Sequence, residues 1–318
     1  MSRRTRRVLP LVLPLLLVGL GVASCGDDDS GEASSGDLSS VTVKGDVGTN
    51  PEVSFDGKVE VKKTTSEVIT EGDGEEIKAG DSVLAHIWIG NGFSQEKAFS
   101  TYEEEPKTAQ LLTADEKALS PLFVEGLVGH TIGSRVAVAS TAEEAFGPQG
   151  NAQLKIGNKD TVVAVIDLLS AVPEGPSGED VNAPSWAPEI VEKNGVPTSL
   201  DFSKTPAPSK KLQSATLIQG EGATVEKGQL LVVNYLGQVY KGKKPFDESY
   251  SRGQPASFPI GTGGVIPGWD KALVGAKLGS RMMLSIPPED GYGAAGNKEA
   301  GIKGTDTLYF VVDLLAAA

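Results

Sequence analysis

A chain that carries one pattern twice is constrained to build one fold twice, and this constraint dominates the present 318 residues. Displacing the sequence by 146 positions without a gap makes 18 of the 49 residues from Pro121 to Leu169 identical to their counterparts. Leu127-Val-Gly129 falls on Leu273-Val-Gly275, Gly133-Ser-Arg135 on Gly279-Ser-Arg281, and Asp167-Leu-Leu169 on Asp313-Leu-Leu315. Gly147, Gly150 and Ile156 likewise meet Gly293, Gly296 and Ile302. Upstream the register slips by one or two residues, so that Phe99 aligns with Phe246 and Gly80 with Gly228.

Within the second copy the apolar residues follow the two-residue period of a strand. Leu231, Val233 and Tyr235 share one face, as do Met282, Leu284 and Ile286, and again Leu308, Phe310, Val312 and Leu314. One short helix is predicted between them. Pro267 suits its first turn, Trp269 and Leu273 lie four residues apart, and Gly275 and Gly279 close it. The expectation is an α+β fold: a sheet with one apolar face, crossed by one helix whose Trp269 points inward, with an aromatic pocket between the two.

Tyr235, Phe246-Asp247, Val265-Ile266 followed by Trp269, Gly291-Tyr292-Gly293, Ile302 and Phe310 together resemble the FKBP-type peptidyl-prolyl isomerases, over about Lys227–Leu315. The resemblance implies two tandem FKBP-like domains, each a twisted antiparallel half-barrel wrapped on one short helix. It implies an enzyme without cofactor, metal or covalent intermediate. Trp269 would floor the pocket, with Tyr235, Phe246, Val265, Ile266 and Phe310 as walls and Phe258 as a further substrate-binding residue. The Ile266 N–H and the Tyr292 hydroxyl would donate to substrate carbonyls, Asp247 would accept hydrogen bonds beside Arg252, and Ile302 would close one side. Immunosuppressant macrolides are implied as ligands. Ala256, Asp290 and Asn297 depart from the family's common choices around the rim and bear on that affinity.

Prolyl isomerisation needs no nucleophile. Breaking amide resonance presents a barrier of ~18–20 kcal/mol, and turnover at about 10²–10³ per second removes only about 5–7 kcal/mol of it. An apolar pocket disfavours the dipolar planar amide more than the twisted one, and oriented donors add to that.

The first copy keeps the pattern and loses the polar groups. Ile87 stands for Tyr235, Ser100 for Asp247, Phe123 for Trp269, Phe146 for Tyr292, Leu119-Ser120 for Val265-Ile266, and Ala164 for Phe310. A retained scaffold with a degenerate, inactive pocket is expected.

Residues 1–24 read as a signal peptide: Arg3, Arg4, Arg6 and Arg7 precede a 15-residue apolar run, Val8–Val22, shorter than the ~20 residues of a spanning helix. Val22-Ala-Ser-Cys25 resembles a bacterial lipobox, with Cys25 as the lipidated residue. Cys25 is the only cysteine, so no intramolecular disulfide can form. Without the leader's four arginines, 25 basic residues face 42 acidic ones, a net of −17, which excludes a nucleic-acid footprint. Residues 25–40 read as a lipidated acidic tether, 41–172 as the degenerate domain, 173–188 as a linker and 189–318 as the isomerase domain. Trp186 in that linker is expected to pack on a domain edge.

The protein is thus expected to be exported and lipid-anchored to the outer face of the bacterial cytoplasmic membrane. There it would act on proline-containing unfolded or nascent exported proteins. A tandem proline-segment binding module or chaperone is the alternative, and a solute-binding lipoprotein would require alternating strand–helix units that this repeat lacks. His86 and His130 read as solvated surface residues without a cysteine partner, which excludes thiolate zinc sites and Cys–His catalysis. The Gly261-Thr-Gly-Gly264 stretch lacks nucleotide-loop spacing and reads as a tight turn.

Overall fold

A computed structural model describes residues 38–104 and 108–318. The expected leader, the Cys25 lipobox and most of the tether lie outside the described residues. Leu38, placed in the tether by sequence, is already buried, so the folded part begins earlier than residue 41.

The first copy comprises β1 (Val41–Lys44), β2 (Glu52–Phe55), β3 (Thr65–Thr70), β4 (Ser82–Asn91), β5 (Glu96–Ser100), β6 (Gln110–Thr113), α1 (Pro121–Glu125), β7 (Arg135–Thr141), α2 (Ala142–Phe146) and β8 (Thr161–Val172). The second comprises β9 (Gly178–Asp180), β10 (Glu189–Lys193), β11 (Val196–Asp201), β12 (Gln213–Gly220), β13 (Leu230–Val239), β14 (Asp247–Glu248), β15 (Ala256–Pro259), α3 (Pro267–Leu273), β16 (Arg281–Ile286) and β17 (Leu308–Ala317).

Both sheets are antiparallel with the same path. The first runs β3-β7-β8-β4-β5 with β6 also on β4; the second runs β14-β13-β17-β16-β12-β9 with β15 also on β13. Even the irregularities repeat. The register shifts at Val68/Thr70 and again at Thr216/Ile218, and at Leu84/Ala85 and again at Val232/Val233. Such bulges bend a strand, here curling each sheet over its helix. Pro267 opens α3 at its first turn, as its fixed φ and missing N–H favour.

Each concave face holds its own core. One gathers Val83, Ile87, Phe123 and Ile166; the other gathers Leu231, Tyr235, Trp269 and Phe310. The sheets are also apolar on their outer faces, contrary to the single apolar face expected. The β1–β2 hairpin covers Trp88, Ala137 and Val163, and the β10–β11 hairpin carries Leu200 over Leu236, Met283 and Tyr309. Trp186 joins that outer cluster. The presumed linker is also partly structured, because β9 pairs with β12 as an edge strand.

A buried ion pair secures each outer face. Arg135 Nε and Nη2 bind the Asp167 carboxylate at 2.6 and 2.7 Å, and the same guanidinium donates to the carbonyls of Gly45 (2.7 Å) and Thr49 (2.6 Å) in the first hairpin. Arg281 grips Asp313 at 2.6 and 2.9 Å and reaches Glu192 in the second hairpin at 2.8 Å. Tyr102 donates to Asp167 and Tyr250 to Asp313, and both phenols are pushed well above their ordinary range by burial and the adjoining carboxylate. The halves meet through outer-face residues near the strand ends: Leu84 and Ala109 pack with Leu230, Val232 and Ala316.

His86 corrects the sequence reading. It is half-buried, its Nδ1 lies 2.8 Å from Thr101 Oγ1, and its ring stacks on Tyr102 at 4.0 Å. Outward on this sheet does not mean solvated, because the hairpin and its connections cover that face.

Candidate functional site

Between β13, β17 and α3 lies a cavity of about 450 Å³. Its base is Trp269, 4% exposed, held at right angles by three rings: Tyr235, Phe258 and Phe310, each with its centroid 5.4 Å away. Phe246 meets Phe310 edge-on at 5.6 Å. Edge-to-face packing suits the aromatic quadrupole and fixes each ring's orientation. Val265, Ile266, Asp247 and Tyr292 complete the walls, and Tyr292 stands at the lip, 37% exposed.

Three polar side chains at the cavity are joined by hydrogen bonds. The Tyr235 hydroxyl donates to Asp247 Oδ2 at 2.5 Å, and Arg252 Nη2 donates to Asp247 Oδ1. Burial, and next the Asp247 hydrogen bond, push the Tyr235 phenol up to about 12. Ile266 caps α3, its carbonyl accepting from Trp269 N at 2.9 Å, while its own N–H stays outside the helical ladder. Asp270 on the same helix accepts from Gly261 N (2.6 Å) and Gly263 N (2.8 Å), and so braces the Gly-rich turn that leads into Val265.

Of the residues singled out by sequence, Tyr235, Phe246, Asp247, Phe258, Val265, Ile266, Trp269, Tyr292 and Phe310 come together on this cavity. Arg252 does not line it; it sits behind Asp247 as an exposed ionic partner. Ile302 is a correction. It is 4% exposed within the core and bridges Asn297, as Ile156 bridges Asn151 in the first copy, so it serves packing common to both copies. Asp290 and Asn297 are not on the rim either. Asp290 is buried against Lys271, and Asn297 Oδ1 accepts from Ala300 N at 3.2 Å.

Sheet register corrects two equivalences. Gly237 pairs with Asp247, and its counterpart Ile89 pairs with Phe99, so Phe99 occupies the Asp247 position and not that of Phe246, and Ser100 the position of Glu248. Ser100 faces the other way and donates to Asn50 Oδ1 at 3.1 Å. The slip escaped sequence alignment because strand identity there is weak. Gly237 was missed as well. A Cβ on it would lie 2.5 Å from Phe310 and 2.7 Å from Phe246, so only glycine admits both rings. A glycine in mid-strand was the available signal.

The first copy solves the same space by inversion. Ile89 replaces Gly237 where Ala164 replaces Phe310, and both are fully buried. Phe99, Phe146 and Leu119 pack against that core, and Phe123 is fully enclosed.

The twelve residues lining the cavity include no serine, cysteine, lysine or histidine. A half-barrel closed on one helix around such an aromatic cup is a fold that can enclose an apolar group.

Comparison with known proteins gives it a family. The profile of the FKBP-type peptidyl-prolyl cis-trans isomerases matches residues 221–315. The chain is 38% identical over 109 residues to an FK506-binding protein of Streptomyces anulatus, spanning 34% of this chain and 88% of that protein. A probable FK506-binding protein of Corynebacterium glutamicum is 39% identical over 118 residues, which are 37% of this chain and 96% of that one. The isomerase FkpA of Escherichia coli K12 is 46% identical over 96 residues, 30% of this chain and 34% of its own. This chain belongs to the FKBP-type peptidyl-prolyl cis-trans isomerases, with the matching domain in its C-terminal copy.

Proposed function

We propose that the C-terminal cavity isomerises X-Pro bonds of unfolded or nascent exported proteins, with the proline ring seated on Trp269 between Tyr235, Phe246, Phe258, Val265, Ile266 and Phe310. The observation that carries this reading is the Trp269-centred ring cluster with the hydrogen-bonded Tyr235, Asp247 and Arg252 beside it. Removing the X-Pro amide from water favours the rotated, less dipolar form. The Ile266 N–H and the Tyr292 hydroxyl donate to substrate carbonyls, and Asp247 orders the flank through Tyr235 and Arg252. The N-terminal copy takes no part in catalysis, since Ile89, Phe99 and Phe123 fill the corresponding space. Macrolides of the FK506 type compete for the same cup.

The experiment is a proline-isomerisation assay on the full chain with Tyr292→Phe and Asp247→Ala. Each variant is expected to lose about three- to tenfold in kcat/KM, the size of one hydrogen bond. A wild-type chain no faster than buffer overturns the reading. The anchor is a separate proposal, supported by the lipobox and by an acidic chain that gains no electrostatic hold on anionic lipid. Cys25→Ser should move the protein from the membrane to the soluble fraction, and unchanged fractionation would remove the anchor.

A further inference from the structure

The backbone hydrogen bonds of the turn that carries Tyr292, Gly291 N to Pro288 O at 3.1 Å and Gly296 N to Gly293 O at 3.2 Å, lie on either side of the tyrosine. Gly291 and Gly293 flank the tyrosine, and Gly293 and Gly296 both have φ of 63°. Glycines restrict the backbone less than other residues, so a tie from outside the turn bears on where the Tyr292 hydroxyl sits. Such a tie exists one element away. Lys271 Nζ, on α3, donates to Asp290 Oδ1 at 2.5 Å, and Asp290 ends the short 3-10 turn Pro288–Asp290 directly before Gly291. The Asp290 side chain is only 11% exposed, whereas that of Lys271 is 60% exposed.

The first copy lacks this tie by the signs of its charges. The 146-residue displacement puts Glu125 in the place of Lys271 and Glu144 in the place of Asp290. Two carboxylates cannot pair, and each takes hydroxyl donors instead: Ser66 for Glu125 at 2.9 Å, Thr64 for Glu144 at 3.0 Å. There the residue at the tyrosine position is Phe146, which packs into the core and needs no tie. The pair therefore accompanies the one copy in which this turn presents a hydroxyl at a cavity.

We propose that Lys271 and Asp290 are a positioning pair, which fastens the Tyr292 turn to the helix bearing Trp269 and so sets the hydroxyl over the cup. This rests on the reading of Tyr292 as a donor to substrate. The full chain is assayed on one X-Pro peptide with Asp290→Asn, Lys271→Met, Lys271→Arg, Tyr292→Phe and the Asp290→Asn/Tyr292→Phe double variant. Asp290→Asn and Lys271→Met should each lower kcat/KM about two- to fivefold, the size of a partly exposed ion pair, while Lys271→Arg stays near wild type. In the Tyr292→Phe background Asp290→Asn should cost nothing more. Equal losses in both backgrounds, or no loss in Lys271→Met, overturn the pairing role and leave the Tyr292 reading standing. Tyr292→Phe as active as wild type overturns both. Should Asp290→Asn fold poorly, Lys271→Met at its exposed position, alone and with Tyr292→Phe, makes the same comparison.

Discussion

The two halves of this chain share strand order, bulges, helix and outer-face ion pair, yet one encloses a cavity of about 450 Å³ and the other packs its concave side with Ile89, Phe99 and Phe123. The contrast shows that stability and the pocket draw on separable sets of residues. Exchanging a glycine and a phenylalanine for an isoleucine and an alanine across two paired strands keeps the summed side-chain volume about the same and moves its bulk from one strand to its neighbour.

The largest expected effect tests what the halves have in common. Arg135→Met should lower the stability of the first half by about 3–5 kcal/mol in a urea titration, because it strands the buried Asp167 carboxylate. Arg281→Met should cost less, its side chain being 11% exposed against none for Arg135. Equal losses would break the idea that burial depth separates the two pins. Next comes the difference itself. Gly237→Ile with Phe310→Ala gives the second copy the residues of the first, and should reduce kcat/KM by about 100-fold or more, from closing the cup. It should also recover part of the about 3–5 kcal/mol that Phe310→Ala alone would cost. Retained activity in that double variant would separate the cup from catalysis.

The smallest effect concerns pH. Tyr235, pushed up to about 12, stays protonated in the fold after the unfolded chain has ionised near its ordinary ~10. Its contribution is complete below about pH 10 and is lost as pH rises through about 12, so Tyr235→Phe should flatten the fall in stability of the second half by one proton in that window. Ile87 stands in its place in the first half, which should show no matching change. An unaltered slope in Tyr235→Phe would mean that neither burial nor Asp247 raises the phenol.

Much of this was legible beforehand, and the reason is particular. Strand faces at Leu231, Val233 and Tyr235, or at Leu308, Phe310 and Val312, follow from the two-residue period alone, and Trp269 follows from helical spacing after Pro267. What escaped reading depended on partners far along the chain. The sequence pattern of β13 or β16 says nothing of the β10–β11 hairpin that covers their outer faces. Ile302 carries the same letters whether it lines a cup or seals a core, and only its bridge to Asn297 decides. Ser100 and Phe99 differ by one step, which on a strand means opposite faces, and weak identity around them left the step undetermined.

By itself, the order of residues determined that one fold is built twice, which faces of its strands are apolar, and which copy keeps the tyrosines and the carboxylate. Those properties are local or repeat at a fixed interval, so they survive in one dimension. The tertiary structure alone decided that Gly237 makes room for Phe310 and Phe246, that Lys271 meets Asp290, and that Arg135 and Arg281 tie hairpins to sheets. These are contacts between residues distant in sequence, and their energies depend on distances that exist only once the chain has folded.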